Sequence, residues 1–310
     1  MRIVYFGYQE PGFVCLRELL RIGEDVRLVV THRDDPGETI WFGSVKRLAG
    51  SRKIPVVFSE ETGWKTIEER VRALRPELVL SVYYRRVIPE GIMRLATLGA
   101  VNLHGSLLPR YRGRAPVNWA IIGGEKVSGF TFHFMEKKPD TGDIILQTRV
   151  SIGPNDRALD VYWKMARKMP RALARLIRMF RTGNVPRAGQ DHDRATCFGR
   201  RTAEDGKIDW DRPAREIKDL VRAVTRPWPG AFTDFRGKRL FIWKADYRKT
   251  KRRPGERPGT LRSFSAKDGA CVVCKEGILC CRELQVEGGP SLSGRAFARK
   301  YGLKQGDQVT

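Results

Sequence analysis

From Arg2 to about residue 120, short apolar runs alternate with longer segments of mixed polarity, and this alternation limits the possible folds more than any other feature. Arg2–Phe6, Asp25–Val30, Val56–Phe58, Leu78–Val82 and Gly99–Leu103 have the length and content of strands. Val14–Arg21, Ser44–Ala49, Trp64–Leu74 and Ala115–Ile122 read as helices between and after them. Asp25–Val30 is apolar enough to be covered on both faces, as strands of parallel sheets are. The alternation predicts an α/β fold with a doubly wound, mostly parallel sheet and right-handed crossovers. Ligands of such sheets bind beyond the carboxyl ends of the strands.

Further along, Ser128–Glu136 and Ile144–Val150 read as strands. Phe130, Phe132 and Phe134 alternate, which predicts one buried face. Leu159–Arg181 reads as a long helix with Arg and Lys recurring on one solvated face. The texture then changes. Gly183, Pro186 and Gly189 mark a linker, and beyond it come a helix at Ala214–Ala223 and five short strands: Ala231–Phe235, Arg239–Ala245, Gly259–Phe264, Ala270–Cys274 and Ile278–Leu284. Short strands with Gly turns predict a small OB-like β-barrel. A chain of 310 residues also exceeds what one core usually needs. The expected organisation is a catalytic domain over 1–185, a linker over 186–202 and a barrel domain over 203–310. The Arg248–Arg257 run reads as a mobile, like-charged loop.

No apolar run approaches the ~20 residues of a membrane span. The N-terminal Met1–Gly7 segment reads as a first strand rather than a signal peptide. The expected location is the cytoplasm, without membrane insertion. Net charge is +24, from 59 Lys+Arg against 35 Asp+Glu. That balance suits nucleic acid, an anionic membrane surface or phosphorylated substrates, and equally an Arg-rich chain with solvated basic faces. Gly7-Tyr-Gln-Glu-Pro-Gly12 is not a G-x-G-x-x-G fingerprint, so no dinucleotide is expected. Cys271-Val-Val-Cys274 with Cys280-Cys281 loosely matches a zinc knuckle. Strand alternation puts the members of each pair on opposite faces, so the reading is structural free thiols, with neither metal nor a disulfide framework.

Candidate chemistry lies in Asn102-Leu-His104-Gly-Ser-Leu-Leu-Pro109-Arg-Tyr-Arg-Gly113-Arg-Ala-Pro116, which starts at the end of the fifth apolar run. Asn102 and His104, two apart at a strand end, point to the same side. An amide there can hold a developing oxyanion, and an imidazole can move a proton. Asp140 lies in the Lys137–Asp143 loop, and a carboxylate beside His104 would fix its tautomer and favour its charged form. G-x-S-x-G is absent, so covalent catalysis through Ser106 is not indicated. The plainer alternative for a strand-end Asn and His is turn capping.

The run from Asn102 to Gly113, followed by Asp140-Thr-Gly142, resembles the 10-formyltetrahydrofolate-dependent formyltransferases. The resemblance extends over the whole chain, including Trp210, Pro227-Trp-Pro-Gly-Ala-Phe232 and the final barrel. It implies the formyltransferase fold, Rossmann-like with an OB-like second domain, and formyl transfer from the folate N10 to a substrate amine. In that reading Asn102 stabilises the tetrahedral oxyanion, His104 shuttles the proton and Asp140 orients His104. The folate site would involve Arg86, Val87, Ile88, Arg114 and the loop Glu136, Lys137, Lys138, Pro139 and Asp140. Arg86 stands where the resembling enzymes usually have His. Core packing is the plainer reading of Val87 and Ile88. No metal and no NAD are implied.

Within the family, the short Thr31–Gly43 loop with Asp34, Asp35 and Glu38 resembles the formyltransferase module of the bifunctional UDP-4-amino-4-deoxy-L-arabinose formyltransferase/UDP-glucuronic acid decarboxylase. Tyr83-Tyr84-Arg85, Gly113-Arg114-Ala-Pro-Val-Asn118-Trp119 and Cys197-Phe-Gly-Arg-Arg-Thr202 agree with it. The resemblance implies a nucleotide-aminosugar substrate and a role in lipid A modification and polymyxin resistance. The decarboxylase domain is not expected, so the chain reads as a stand-alone enzyme or a fragment. The alternative is a methionyl-tRNA formyltransferase, with tRNA as partner. A third reading is a catalytically silent nucleic-acid binder using its basic barrel. Sequence leaves the oligomeric state open.

Overall fold

A computed structural model describes residues 1–309. Two compact units emerge. The first comprises 1–116, 127–151 and 162–199, and the second 117–126, 152–161 and 200–309 of the described chain.

The first unit is built on a seven-stranded sheet. Its strands are β1 (Arg2–Gly7), β2 (Asp25–Thr31), β3 (Val56–Phe58), β4 (Leu78–Val82), β5 (Ala100–His104), β7 (Val127–Phe134) and β8 (Ile144–Ser151), in the order β3-β2-β1-β4-β5-β7-β8. A two-residue strand β6 (Arg112–Gly113) pairs in parallel with β9 (Cys197–Phe198) outside it. Pairing is parallel from β3 through β5 and antiparallel from β5 to β8. The sheet is therefore doubly wound and mostly parallel. Strand order reverses where β1 meets β4, beside β5, which is where such sheets open a crevice.

Helices α1 (Gln9–Arg21), α2 (Val45–Ser51), α3 (Ser59–Thr62), α4 (Trp64–Leu74) and α5 (Glu90–Met93) connect these strands, and α7 (Ala158–Arg181) follows β8. α1 begins five residues before the expected Val14. Pro11 sits in the first turn, where a missing N–H costs no helical bond. Gly12 is needed for close approach: a Cβ there would stand 3.0 Å from the Gly7 carbonyl carbon. α2 starts behind Ser44, whose hydroxyl accepts from the Arg47 N–H at 3.2 Å.

β7 corrects the expectation of one buried face. Thr131 and His133 are as buried as the three Phe residues they alternate with. β7 is interior to the sheet, and its polar side chains find partners on the face that carries the site. A main core cluster packs Val4, Phe6, Leu28 and Val30 against Ile67, Val71 and Ile92.

The second unit holds α6 (Pro116–Ile122, from Val117 on), the first turn of α7 and α8 (Ala214–Val224) with an antiparallel, barrel-like sheet. Its strands are β10 (Ala231–Phe235), β11 (Lys238–Arg248), β12 (Leu261–Ser265), β13 (Gly269–Val273) and β14 (Ile278–Val286), in the order β10-β11-β14-β13-β12. A short β15 (Ser291–Ser293) joins β14 before α9 (Gly294–Lys300); neither is expected from the sequence pattern. The Arg248–Arg257 run is an irregular connection pinned by Arg262, which pairs with Glu256 and donates to the Lys251 carbonyl at 3.2 Å. The register places Cys271 directly opposite Cys280, and the two are joined in a disulfide. The free-thiol reading therefore holds for Cys274 and Cys281, both buried, and fails for this pair. Alternation along one strand cannot reveal a partner on the next.

Candidate active site

The last three residues of β5 lie against β7, with Asn102 opposite His133 and His104 opposite Thr131. Side chains two apart on a strand, and side chains directly opposite on its neighbour, share a face. Asn102, His104 and His133 are therefore grouped by the ladder itself. Asp140 enters from the β7–β8 connection. Its Oδ1 stands 3.4 Å from His104 Nδ1 and 3.6 Å from His133 Nε2, and its Oδ2 accepts the Gly113 N–H at 2.9 Å. His104 and Asp140 are both buried.

The motif glycines are explained by contact. A Cβ at Gly142 would stand 2.1 Å from the Phe134 carbonyl oxygen, and one at Gly113 would stand 2.2 Å from that of Phe198. Gly113 also has φ +90°, which favours glycine. Asp140 itself has φ 60° and Tyr111 φ 58°, the kind of backbone strain that collects at functional sites. Behind Asp140, Gln190 donates to the Asp140 and Gly142 carbonyls at 3.0 and 2.7 Å. The Gln190 carbonyl oxygen accepts in turn from the Arg112 guanidinium, at 2.6 Å from Nη2. Thr141 Oγ1 closes the turn on the Lys138 carbonyl at 2.7 Å. The loop that carries the carboxylate is thus held from both sides.

Electrostatics follow from this packing. Burial works to raise the Asp140 carboxyl, but the His104 charge, the His133 hydrogen bond and the Gly113 N–H outweigh it. The group is held well below the usual carboxylate range. His104 moves below the ordinary imidazole value because burial penalises its charged form, against the opposing pull of Asp140 and the Tyr111 carbonyl. Tyr111 O lies 2.7 Å from His104 Nε2 and accepts from it. A proton taken up by His104 therefore goes to Nδ1, facing Asp140. The site holds a neutral base beside a permanent carboxylate.

The other sequence-indicated residues surround this cluster less tightly. Arg86 donates to the Ser59 carbonyl at 2.5 Å and lies over the Trp64 ring. Val87 is 64% exposed, while Ile88 is buried in the main core cluster, as its plainer reading has it. Arg114 reaches the Arg85 carbonyl at 3.3 Å. Glu136, Lys137, Lys138 and Pro139 form an exposed rim beside Asp140. Ser106 donates to the Arg110 carbonyl at 2.6 Å and is fully buried, a structural use. Sequence reasoning missed His133, Gln190 and the Gly113 N–H. Only His133 left a signal: it alternates with the buried Phe residues of β7, on the opposite parity.

Residues 16–177 match the family described as formyl transferase, and residues 200–302 match formyl transferase, C-terminal domain. Among solved structures, an N-formyltransferase from Helicobacter canadensis in complex with folinic acid and dTDP-3-aminofucose superposes with a TM-score of 0.71 at 20% identity, covering 90% of this chain and 98% of that one. WlaRD, a sugar 3N-formyl transferase solved in the presence of dTDP and 5-N-formyl-THF, gives 0.69 at 19% identity, with 94% and 99% covered. The methionyl-tRNA formyltransferase from Clostridium thermocellum gives 0.53 at 19% identity, with 79% and 93% covered. Identities this low speak for the fold alone, whereas the two family matches together span most of the sequence, and on them the chain belongs to the formyl transferase family.

Proposed function

We propose that this formyltransferase transfers the formyl group of 10-formyltetrahydrofolate to the 4-amino group of a nucleotide-linked aminosugar, UDP-4-amino-4-deoxy-L-arabinose, by direct attack through a tetrahedral intermediate. The observation that carries the reaction is the convergence of Asn102, a neutral His104 and an ionised Asp140 at the end of β5. The amine attacks the formyl carbon, and Asn102 donates an N–H to the oxygen that gains charge. His104 takes the amine proton on Nδ1, where Asp140 stabilises the resulting imidazolium. It then returns that proton to N10 as the C–N10 bond breaks. The folate would lie along Arg86, Val87, Ile88 and Arg114 and the Glu136–Asp140 rim, where the exposed Val87 offers an apolar surface. A direct transfer of this kind requires no metal and no NAD.

Support for a small acceptor comes from the 31–43 loop, whose acids are used inside the first unit. Asp34 accepts from the Tyr8 hydroxyl at 3.1 Å, Glu38 pairs with Arg85 at 2.7 Å, and Trp41 packs edge-on against Tyr162 and Trp163. A loop drawn onto the protein in this way suits a wall of a small-molecule site better than an arm reaching for a macromolecule. The assay is formyl transfer from 10-formyltetrahydrofolate to UDP-4-amino-4-deoxy-L-arabinose and, in parallel, to charged initiator tRNA. Turnover of the sugar that is abolished in His104→Ala supports the proposal. Turnover of the tRNA alone replaces it with the methionyl-tRNA activity, and no turnover of either rejects both acceptors.

A further inference from the structure

α7 carries a second feature that formyl transfer does not use. Between Asp160 and Asp191 the chain contains no acidic residue, yet α7 holds Lys164, Arg167, Lys168, Arg171, Arg175, Arg178 and Arg181 in that interval. At 100° per residue all seven fall within an arc of about 140°, and they extend along about 25 Å of helix. The opposite face is apolar and buried through Met165, Met169, Leu173, Leu176, Ile177 and Phe180, so the helix cannot rotate the charges away. Arg181 is paired, at 2.6 Å, with the buried Glu24. Lys164 and Lys168 donate to the carbonyls of Ser151 and Arg149 on β8, which adds the exposed Arg149 beside the stripe. Arg167, Arg171, Arg175 and Arg178 are exposed and have no ion-pair partner among the described residues.

Like charges three and four residues apart on a helix repel one another. A solvated surface helix usually relieves this with interleaved acids, and beyond Asp160 in its first turn this one has none. Water and salt screen part of this repulsion; a polyanion would relieve the rest, and the stripe's chemistry states what kind it fits. Most of its cations are arginines, whose planar forks bind phosphate oxygens in pairs. It is a narrow, rigid track rather than a concave pocket, so it suits a linear polymer. Among the described residues the exposed large apolar side chains are Ile40, Val87, Leu98 and Phe264, none of them on α7. Nothing on this face can therefore insert into a bilayer, as peripheral membrane helices do.

We infer that the Arg167–Arg178 stripe of α7 is a docking surface for the phosphodiester backbone of a nucleic-acid duplex, independent of sequence. The partner supplies the regularly spaced negative charges that the helix lacks.

The test uses the full chain, a labelled 20-base-pair DNA duplex and a second duplex of shuffled sequence, with binding followed by anisotropy across a salt series. The parent protein binds both equally. Arg167→Gln, Arg171→Gln, Arg175→Gln and Arg178→Gln together make the slope of log Kobs against log [salt] shallower by about 3.6, at roughly 0.9 per neutralised phosphate. The same four positions changed to Lys keep the slope, which separates charge from shape. An unchanged thermal melt shows that the fold survives. Three results overturn the inference: no binding by the parent at low salt, equal binding by the fourfold Gln variant, or tighter binding of the parent to phosphatidylglycerol vesicles than to the duplex.

Discussion

The side-chain nitrogen of Asn102 lies 3.2 Å from Nε2 of His133, its direct partner across the β5–β7 ladder. His133 Nδ1 is 2.8 Å from the Phe134 carbonyl and donates to it. The same Nε2 lies 3.6 Å from Asp140 Oδ1, so the His133 ring stands between the Asn102 amide and the carboxylate. In the proposed mechanism the His133 contact orients the Asn102 amide toward the formyl oxygen. We propose His133 as a positioning residue for Asn102.

His133→Ala removes that orientation without removing the donor. The expected result is a loss of kcat of about 10–100-fold, the scale at which second-layer partners of a site act, with little change in KM for the folate. His133→Gln, which can still hydrogen-bond Asn102, is expected to recover part of the loss. Steady-state kinetics of the two variants decide it, since a purely structural role would lower the melting temperature of both and leave kcat per folded enzyme intact.

Asp140→Asn keeps the shape and deletes the charge. Loss of kcat on the order of 10³–10⁴ is expected, as for the buried carboxylate of other imidazole-based sites. The residual pH profile supplies a sharper check. Asp140 raises the pKa of His104, so its removal drives that value further down, and the acid limb of kcat/KM moves to lower pH. A limb that stays in place would remove Asp140 as the partner of His104.

The same two groups link stability to pH. Both have folded pKa values below their unfolded ones, so the unfolded chain binds more protons as pH falls. Their contribution is fully present above the unfolded values. That of His104 begins to be lost below about pH 6.5, and that of Asp140 below about pH 4. Denaturant melts across this range should show two declining segments, and His104→Gln should lack the upper one.

Gly142→Ala places a methyl group 2.1 Å from the Phe134 carbonyl oxygen. Backbone must move, and Asp140 moves with it. A destabilisation of at least about 2 kcal/mol is expected, the range for strain at a constrained backbone position, together with a loss of turnover. Calorimetry and kinetics on the purified variant measure both. Gly183→Ala, where φ is +72° but nothing lies within 4 Å, separates conformational strain from collision.

Local pattern was enough for anything that depends on neighbours along the chain. Apolar runs of strand length marked β1 to β5 and most of the second unit, because burial on both faces of a sheet demands it. The spacing of Asn102 and His104 placed them on one side of a strand end for the same reason. Asp140 came from resemblance, since no spacing rule links residues 35 or more apart. Gly7 and Gly12 read as a loop and so misplaced the start of α1, because Gly12 lies inside the helix, where it packs closely against Gly7.

Tertiary structure decided the rest through register and loop closure. Whether His133 faces Asn102, and whether Cys271 faces Cys280, depends on how two strands align, and a shift of one residue would send each side chain to the other face. Gln190 reaches Asp140 across 50 residues and the Gly113 N–H reaches it across 27, so neither partner could be read from composition or period. Sequence by itself named the alternating architecture and the amide, imidazole and carboxylate. Only the folded chain brought them together, where burial lowers the His104 pKa while neighbouring groups and the Gly113 N–H keep Asp140 charged.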